Sequence, residues 1–236
     1  MAADTCVVIA TWEGSDPAHL ERLAESLRSV APGREHSTCL VINGSDGRHA
    51  RLSARFDLTL TRDNVGFNLG AWDAAWRQTS ADRYLFLQDE CTLRRKGWLL
   101  AFERAFEPGV GLVGEQLRRP WNKPWDELTS ETNRDFERAR TYRTLLREWG
   151  VAEGLTARHL TTVVQYTSRE VLEAVGGYRA ESTYPRAIAA EIAFSRSIEA
   201  RGLSLVQVGR RRHTFVGHPQ WPRDGLFDRV RRSLWR

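Results

Sequence analysis

The chain has 236 residues and a mass of 27.0 kDa, which fits one large domain or a domain with a small annex. With 41% hydrophobic and 28% charged residues and a mean hydropathy of −0.48, its composition excludes a disordered chain, and its longest apolar runs are far shorter than the roughly 20 residues of a membrane span. The net charge of +5 is spread along the chain without a zinc-finger, recognition-helix or RNA-binding signature, so we expect no nucleic-acid partner.

The first half of the chain alternates short apolar runs with amphipathic stretches. The runs at 6–10, 38–42, 56–61, 83–87 and 110–113 predict strands. Between them, apolar residues at helical spacing predict helices, the first of which is capped by Asp16 and Pro17 and ended by Pro32 and Gly33. Strands that alternate with helices are typical of βαβ units. We therefore predict an α/β fold with a mostly parallel central sheet and helices on both faces.

The second half is less regular. Two Pro-Trp pairs within 118–130 predict an ordered aromatic loop, and apolar periodicity predicts helices at 136–149, 168–175 and 187–200. Strands are predicted at 161–166 and 203–208. Since no internal repeat, low-complexity segment or clear linker occurs, we expect a single domain over 1–222 and a separate basic tail at 223–236.

Polar clusters follow three of the predicted strands. They are Thr11-Trp12-Glu13, Asn43-Gly44-Ser45-Asp46 and Gln88-Asp89-Glu90. Ligands of open parallel sheets bind at the carboxyl ends of the strands, so three clusters at equivalent ends indicate one shared crevice, although each cluster alone could be an ordinary loop.

The third cluster points to a divalent cation. Mg²⁺ and Mn²⁺ prefer oxygen ligands, and Mg²⁺ usually takes one or two carboxylates together with substrate phosphates. Because side chains alternate along a strand, Asp89 and Glu90 are expected to face different ways, one toward metal and the other toward a sugar hydroxyl or backbone group. A solvated acidic turn is the alternative. No G-x-G-x-x-G motif follows the first predicted strand, and no G-x-x-x-x-G-K-[ST] motif occurs, which argues against a dinucleotide-dependent oxidoreductase and a P-loop enzyme.

The order of these motifs resembles family-2 glycosyltransferases of the GT-A fold over roughly residues 5–210. The matching segments are VVIAT at 7–11, VINGS at 41–45, DNVGFNLG at 63–70, LFLQDE at 85–90 and SREVLEAVGGY at 168–178. The resemblance implies transfer of a sugar from a nucleotide-diphosphate donor to an acceptor, with inversion and with Mg²⁺ or Mn²⁺. It also implies a nucleotide-binding half at about 1–115 and an acceptor-side half at about 116–222.

The resemblance further implies roles for single residues. Contacts with the nucleotide sugar are assigned to Thr11, Trp12, Glu13, Asn43, Asn64, Gly66, Asn68, Gly70, Gln88 and Asp89. Residues 88–90 match the D-x-D region, with Glu90 and Asp89 as metal-binding carboxylates. Gln88 departs from that pattern, which leaves the metal dependence open. His213 and His218 follow the last strand, where some relatives supply a third metal ligand; His213 is assigned to that position, and a structural role is the alternative for both.

Glu191 matches the late acidic residue that serves this family as catalytic base. On a helical wheel it lies between Ile188 and Ile198, on the apolar side of its helix, where a carboxylate is rarely left without a partner or a task. Glu199 points the same way and is the alternative base, and a structural salt bridge is the alternative role.

Arginines and tryptophans supply further candidates. Arginine binds planar anions in a bidentate fork, so the three arginines at 210–212 could contact a diphosphate; a solvated surface segment is the alternative. A GC-rich genome is the alternative reason for the high arginine content. Trp121, Trp125 and Trp221 could stack on a sugar or pack in the core.

These observations predict an inverting glycosyltransferase in glycan, polysaccharide or glycoconjugate biosynthesis, with a glycan, lipid-linked or small-molecule acceptor. The alternative is a non-catalytic nucleotide-sugar-binding or glycan-binding module, which the departed D-x-D favours and Glu191 disfavours. A sugar nucleotidyltransferase is a second enzymatic alternative, but its Gly-rich N-terminal loop is missing.

The location is predicted from the two ends of the chain and from the cysteines. Residues 1–4 lack the features of a signal peptide, and three cysteines without a C-x-x-C motif exclude a disulfide framework, so we expect a cytoplasmic protein. In the tail, Leu226, Val230 and Leu234 form one stripe between arginines. Such a helix either packs on the protein's own sheet or touches the inner face of the membrane weakly.

Overall fold

A mixed central sheet organises the fold in the computed structural model, which describes residues 4–45 and 47–219. Within these residues, seven strands form the sheet: β1 Thr5–Trp12, β2 Ser37–Asn43, β3 Leu58–Arg62, β4 Arg83–Gln88, β6 Val110–Gly114, β7 Val164–Ser168 and β8 Ser204–Gln207. Their order across the sheet is β3-β2-β1-β4-β7-β6-β8. β7 runs antiparallel to both neighbours and every other pair is parallel, which confirms the predicted mostly parallel α/β fold. A small antiparallel ribbon pairs β5 Thr92–Leu93 with β9 Val216–Gly217.

Helices cover both faces of the sheet. They are α1 Pro17–Ser29, α2 Ala50–Ser53, α3 Phe67–Gln78, α4 Trp98–Ala105, α5 Trp125–Leu128, α6 Phe136–Glu148, α7 Arg169–Val175 and α8 Tyr184–Glu199. The alternation of β1 sends Val8 into a core shared with α3 and α8, and Val7 and Ile9 into a core shared with α1 and α4. A third apolar cluster joins α5, α6 and α8.

Two helices are capped by side chains, and the cap of α1 is the predicted one. The Asp16 side chain accepts a bond from the Ala18 N–H at 3.0 Å, and Pro17 begins α1. The Ser168 hydroxyl caps α7 by accepting from the Val171 N–H at 3.2 Å, and Gly176 ends that helix in the left-handed conformation at φ 81°.

Three element boundaries differ from the predicted ones. The predicted strand at 161–166 begins only at Val164, because Thr162 turns its backbone N–H to a carboxylate. α8 begins at Tyr184 rather than at 187, with Pro185 in its first turn, where a missing N–H costs nothing. The predicted loop at 118–130 contains a 3₁₀ turn, Arg119–Trp121, and the short helix α5.

Several predictions fall outside the described residues. They are those made for Asp46, Trp221 and the tail at 223–236, so the membrane contact of the tail stays a prediction. In the part of the chain that the structure describes, no helix combines the length and the apolar character needed to cross a bilayer. Cys6, Cys39 and Cys91 are free and buried.

Candidate active site

The carboxyl ends of β1, β2 and β4 lie side by side at one edge of the sheet. In the β1–β2 register Trp12 is opposite Asn43, and in the β1–β4 register Ala10 is opposite Gln88. The structure therefore brings the described residues of the three polar clusters to one edge of the sheet, as their positions after neighbouring strands predict.

Asp89 ties the first and third clusters together. It is 6% exposed, and its Oδ2 accepts hydrogen bonds from the hydroxyl groups of Thr11 at 2.6 Å and Ser15 at 2.5 Å. Its backbone N–H donates to the carbonyl of Ala10 at 3.0 Å. Thr11 and Asp89 thus support the site from within the protein.

Glu90 faces two histidines on the other side of the same turn. Its Oε2 lies 2.9 Å from Nε2 of His218, and its Oε1 lies 3.8 Å from Nδ1 of His19 in the first turn of α1. Asp89 and Glu90 therefore face different partners, as predicted. Burial lowers the pKa of His218 to about 4, so its imidazole is neutral near pH 7 and is in the form that binds metals.

His213 occupies a different place from His218. Its Nε2 lies 3.3 Å from Oε1 of Gln116 and its Nδ1 lies 3.2 Å from the carbonyl of Val216. Among the described residues, none of its contacts is with Asp89 or Glu90. The structure thus does not bring His213, the predicted ligand, to the carboxylates, and the imidazole that meets Glu90 is that of His218.

A buried carboxylate, Glu115, fixes the segment that carries both histidines. It accepts backbone N–H bonds from Thr214 at 2.8 Å, Phe215 at 2.7 Å and Val216 at 2.7 Å. Burial raises the pKa of Glu115 even though these three bonds favour its ionised form. Sequence reasoning did not single out Glu115, since a lone glutamate after a strand carries no signal of such contacts.

The first two clusters interlock through Glu13. Its Oε2 accepts from the backbone N–H and the hydroxyl of Ser45 at 3.1 and 3.2 Å. Gly44, at φ 94°, lets this carboxylate approach, because a Cβ there would lie 2.5 Å from the carboxyl carbon of Glu13. Trp12 is 49% exposed beside it and leaves a broad aromatic face open to a ligand.

Asn43 connects the second cluster to the segment 63–70. It is buried, its Nδ2 donates to the carbonyl of Phe67 at 2.8 Å, and its Oδ1 accepts from Arg62 at 2.6 Å. Gly66 directly precedes α3 as its N-cap, in the left-handed conformation at φ 82°. Asn64 is exposed in the loop before it.

Gly70 allows a close approach of backbone to backbone in the first turn of α3. A Cβ at this position would lie 2.3 Å from the carbonyl oxygen of Val65. The N–H of Gly70 donates to the carbonyl of Gly66 at 2.8 Å. Gly66 and Gly70 therefore fix the shape of the loop, whose residues 63–65 and Phe67 are exposed.

A cleft of about 1050 Å³ opens next to these clusters. Its lining includes Asn68, Gln88, Trp121, Glu191 and several residues of α6 and the turn before it. The predicted residues Asn68, Gln88 and Glu191 therefore share one cavity. Trp121 is 7% exposed and packs against Tyr142, with ring centroids 5.4 Å apart. It is therefore part of the packed wall of the cleft and does not present an open ring face.

Thr162 joins the predicted base to the D-x-D region. Its backbone N–H and its hydroxyl donate to Oε2 of Glu191 at 2.6 and 2.5 Å. Its carbonyl accepts from Nδ2 of Asn68 at 2.8 Å and from Nε2 of Gln88 at 2.9 Å. Gln88 therefore fixes the backbone of Thr162, whose N–H in turn binds the carboxylate of Glu191.

Glu191 is ionised in this environment. Burial alone would raise its pKa, but bonds from His159 and Thr162 outweigh that effect and leave the pKa below its usual value. Oε1 of Glu191 lies 3.2 Å from Nε2 of His159. Glu199, the alternative base, pairs instead with Arg196 within α8 and does not line the cleft.

The side chains around Glu90 form an incomplete set of metal ligands. Among residues 4–45 and 47–219, no three His, Cys, Asp or Glu side chains are grouped so that they alone could hold a metal ion. Glu90 and His218 nevertheless offer one oxygen and one neutral nitrogen that face each other. Two protein ligands fit an ion whose remaining ligands are phosphate oxygens and water.

No protein-family model matches the chain, and no curated protein sequence does either. Solved structures match it. The mannosyltransferase PcManGT from Pyrobaculum calidifontis, in complex with GDP-Man and Mn²⁺, is 17% identical with a TM-score of 0.57 over 87% of this chain and 55% of that one. Two structures of S. aureus TarS match over 83% of this chain. TarS 1–349 is 11% identical with a TM-score of 0.50, and the match covers 56% of that chain. The second TarS structure is 12% identical with a TM-score of 0.51, and the match covers 34% of that chain.

This chain therefore spans about half, or less, of the length of the proteins it matches. At these identities the likeness is one of fold. It confirms the predicted architecture: the chain has a GT-A-like fold, with one mixed sheet and helices on both faces.

Proposed function

We propose that the chain is a glycosyltransferase that takes a sugar from a nucleotide-diphosphate donor and transfers it to an acceptor hydroxyl with inversion. One observation carries this proposal: the buried, ionised carboxylate of Glu191 lines a cleft that is also lined by Gln88, the residue directly before Asp89 and Glu90. The GT-A-like fold supports it, as does the complex of PcManGT with GDP-Man and Mn²⁺.

Glu191 is the proposed catalytic base. Its Oε2 is fully engaged by Thr162, so Oε1 is the atom that takes the proton of the acceptor hydroxyl. As that proton moves, the acceptor oxygen bonds to the anomeric carbon, and the bond from that carbon to the diphosphate oxygen breaks. The electron pair leaves with the nucleoside diphosphate.

Glu90 and His218 are the proposed protein ligands of a divalent cation, Mn²⁺ or Mg²⁺. The ion would neutralise the charge that develops on the leaving diphosphate. Asp89, by its bonds to Thr11 and Ser15, holds the turn in which Glu90 sits. We therefore assign Asp89 a supporting position and give His218 the ligand position that was predicted for His213.

The remaining predicted donor contacts form two groups in this proposal. Trp12 and Asn64 are exposed and would contact the nucleotide directly. Glu13, Asn43, Gly66 and Gly70 hold the loops that present them. We further propose that residues up to about 115 bind the nucleotide and that those from about 116 shape the acceptor side.

A second candidate function is a module that binds nucleotide sugars or glycans without turning them over. Two observations favour it: the amide of Gln88 is bonded to the carbonyl of Thr162, and the described residues do not form a three-ligand metal group on their own. The ionised Glu191 favours the enzyme, because a binding module has no need of a base in the cleft.

A ligand panel tests the donor site directly. The full chain is heated with GDP, UDP, TDP or CMP, each with Mn²⁺, Mg²⁺ or chelator. A ligand at 100 times its Kd adds about 2.7 kcal/mol, which for a chain of this length raises the Tm by roughly 5 to 10 °C. We expect one nucleoside diphosphate to do so in a metal-dependent way.

Matched variants assign that shift to the site. Glu90→Ala and His218→Ala should remove the metal-dependent part of the Tm shift, whereas Glu35→Ala, at an exposed loop position before β2, should keep it. A panel in which no nucleoside diphosphate shifts the Tm would contradict both candidate functions that involve nucleotide sugars.

A further inference from the structure

A second buried titratable side chain, that of His159, faces the proposed base. Nε2 of His159 lies 3.2 Å from Oε1 of Glu191, and the two side chains are 2% and 9% exposed. His159 also packs edge-on against Trp121, with ring centroids 6.1 Å apart. Proton transfer to Glu191, as described above, makes no use of this imidazole.

The hydrogen bonds of His159 fix the positions of its protons. Nδ1 lies 2.8 Å from the carbonyl oxygen of Ala157, and a carbonyl oxygen only accepts, so Nδ1 carries a proton. A bare Nε2 would turn its lone pair toward a buried carboxylate oxygen, which is unfavourable without a proton between them. Because Thr162 already donates twice to Glu191 and favours its ionised form, that proton belongs on Nε2.

We propose that His159 is the positioning residue of the base: anchored on Ala157, it holds Oε1 of Glu191 by an Nε2–H bond and forms a buried imidazolium–carboxylate pair. This inference rests on the proposed function of Glu191. A carboxylate has about four acceptor positions, of which Thr162 fills two and His159 fills one. The one left, on Oε1, is where the acceptor hydroxyl delivers its proton.

Other charged and titratable groups surround the pair from the walls of the cleft. They are Arg118 from the loop after β6, Arg134, Asp135, Glu137, Arg138 and Tyr142 from α6 and the turn before it, and Tyr184 from the first turn of α8. Two of the arginines lie 3.4 and 3.8 Å from the carboxylate of Asp135. His159 is a titratable side chain in direct contact with Glu191, and together with Thr162 it favours the ionised form of this carboxylate.

The pair can be detected without any substrate. In the full chain labelled with ¹⁵N-histidine, the ring nitrogens report which of them carry protons, and His159→Gln assigns the signals of His159 among the six histidines. In the native chain, we expect both ring nitrogens of His159 to carry protons, because Nδ1 faces the carbonyl of Ala157 and Nε2 faces the carboxylate of Glu191. In Glu191→Gln, we expect Nδ1 to stay protonated and Nε2 to be bare. A bare Nε2 in the native chain, or an Nε2 that stays protonated in Glu191→Gln, would overturn the proposal.

A pH profile of donor cleavage then separates positioning from simple packing. With GDP-mannose and Mn²⁺ as the probe, or the donor found in the ligand panel, His159→Gln keeps a neutral N–H donor but removes the positive charge. In this variant, the acid limb of the pH profile of turnover should move to higher pH, because the carboxylate of Glu191 loses a neighbouring positive charge. Turnover at higher pH, on the plateau of the profile, should largely be kept. His159→Leu removes donor and charge together and should lose at least about tenfold in turnover at every pH.

The control is His36→Gln, near the opposite end of β2, which should leave the profile unchanged. If His159→Gln and His159→Leu both lower turnover equally with no shift of the acid limb, the contact is structural packing and the positioning role is wrong. If the nitrogen signals are as expected but no donor is cleaved, the pair exists and it is the proposed function that fails.

Discussion

Replacing Thr162 by valine tests how Glu191 is kept ionised. The change substitutes a methyl group for the hydroxyl that donates to Oε2 of Glu191 at 2.5 Å in a buried site, and it leaves the backbone N–H bond at 2.6 Å in place. A hydrogen bond to a charged group contributes about 1.5–3 kcal/mol. For a chain of this length, the variant should lower the Tm by roughly 3 to 12 °C at neutral pH.

The loss should depend on pH in a defined direction. Burial acts to raise the pKa of Glu191, but bonds from His159 and Thr162 outweigh it, so the folded pKa lies below the unfolded one. Such a group contributes stability above the unfolded pKa and loses it as the pH falls through the folded pKa. Without the hydroxyl the folded pKa rises, so the difference between native and variant should shrink in acid.

Denaturant unfolding at several pH values measures this difference. The matched control is Thr167→Val, whose buried hydroxyl donates to the neutral carbonyl of Gly111 at 2.7 Å. That variant should lose about 0.5–1.5 kcal/mol at every pH. Equal losses for the two variants, with the same dependence on pH, would refute the view that Thr162 stabilises an ionised carboxylate.

Three other variants probe the site and its loops. Glu191→Gln should keep donor binding but lose about 10²-fold or more in transfer, the usual cost of a missing general base, in a steady-state assay; near-normal turnover would remove Glu191 from the mechanism. Glu90→Ala should weaken metal-dependent nucleotide binding more than Asp89→Ala does, as measured by calorimetry. Equal effects would contradict the assignment of Glu90 as a metal ligand and of Asp89 as a supporting residue. Gly66→Ala should lower the free energy of unfolding, because Gly66 has φ 82° and a Cβ there would lie 2.6 Å from the Cβ of Ala180. We expect a loss of about 1–3 kcal/mol in denaturant titrations. An unchanged denaturation midpoint would contradict this prediction.

The central sheet could be predicted because its strands are buried on both faces. Residues such as Val7 and Leu40 are fully buried, so their segments are uninterrupted apolar runs in the sequence. The direction of β7 could not be predicted in the same way, since an apolar run has the same pattern whether its neighbours are parallel or antiparallel. The ribbon of β5 and β9 has two residues in each strand, too few to show any period.

The candidate site was predicted in part. The helical wheel placed Glu191 inward, but its partners His159 and Thr162 lie in an irregular segment before β7, where no periodicity marks which side chains turn toward α8. The choice between His213 and His218 depends on how Glu115 binds the backbone of the segment between them. That long-range contact has no signature in the sequence.

The most direct test of the central claim is whether the full chain, with Mn²⁺, releases nucleoside diphosphate from any member of a panel of nucleotide-diphosphate sugars. Ion-exchange chromatography measures the release for the native chain and for Glu191→Gln. We predict that the native chain cleaves at least one donor and that Glu191→Gln cleaves the same donor about 10²-fold more slowly. Binding of a donor without any cleavage by the native chain, or equal cleavage by both proteins, would contradict the assignment of a glycosyltransferase with Glu191 as its base.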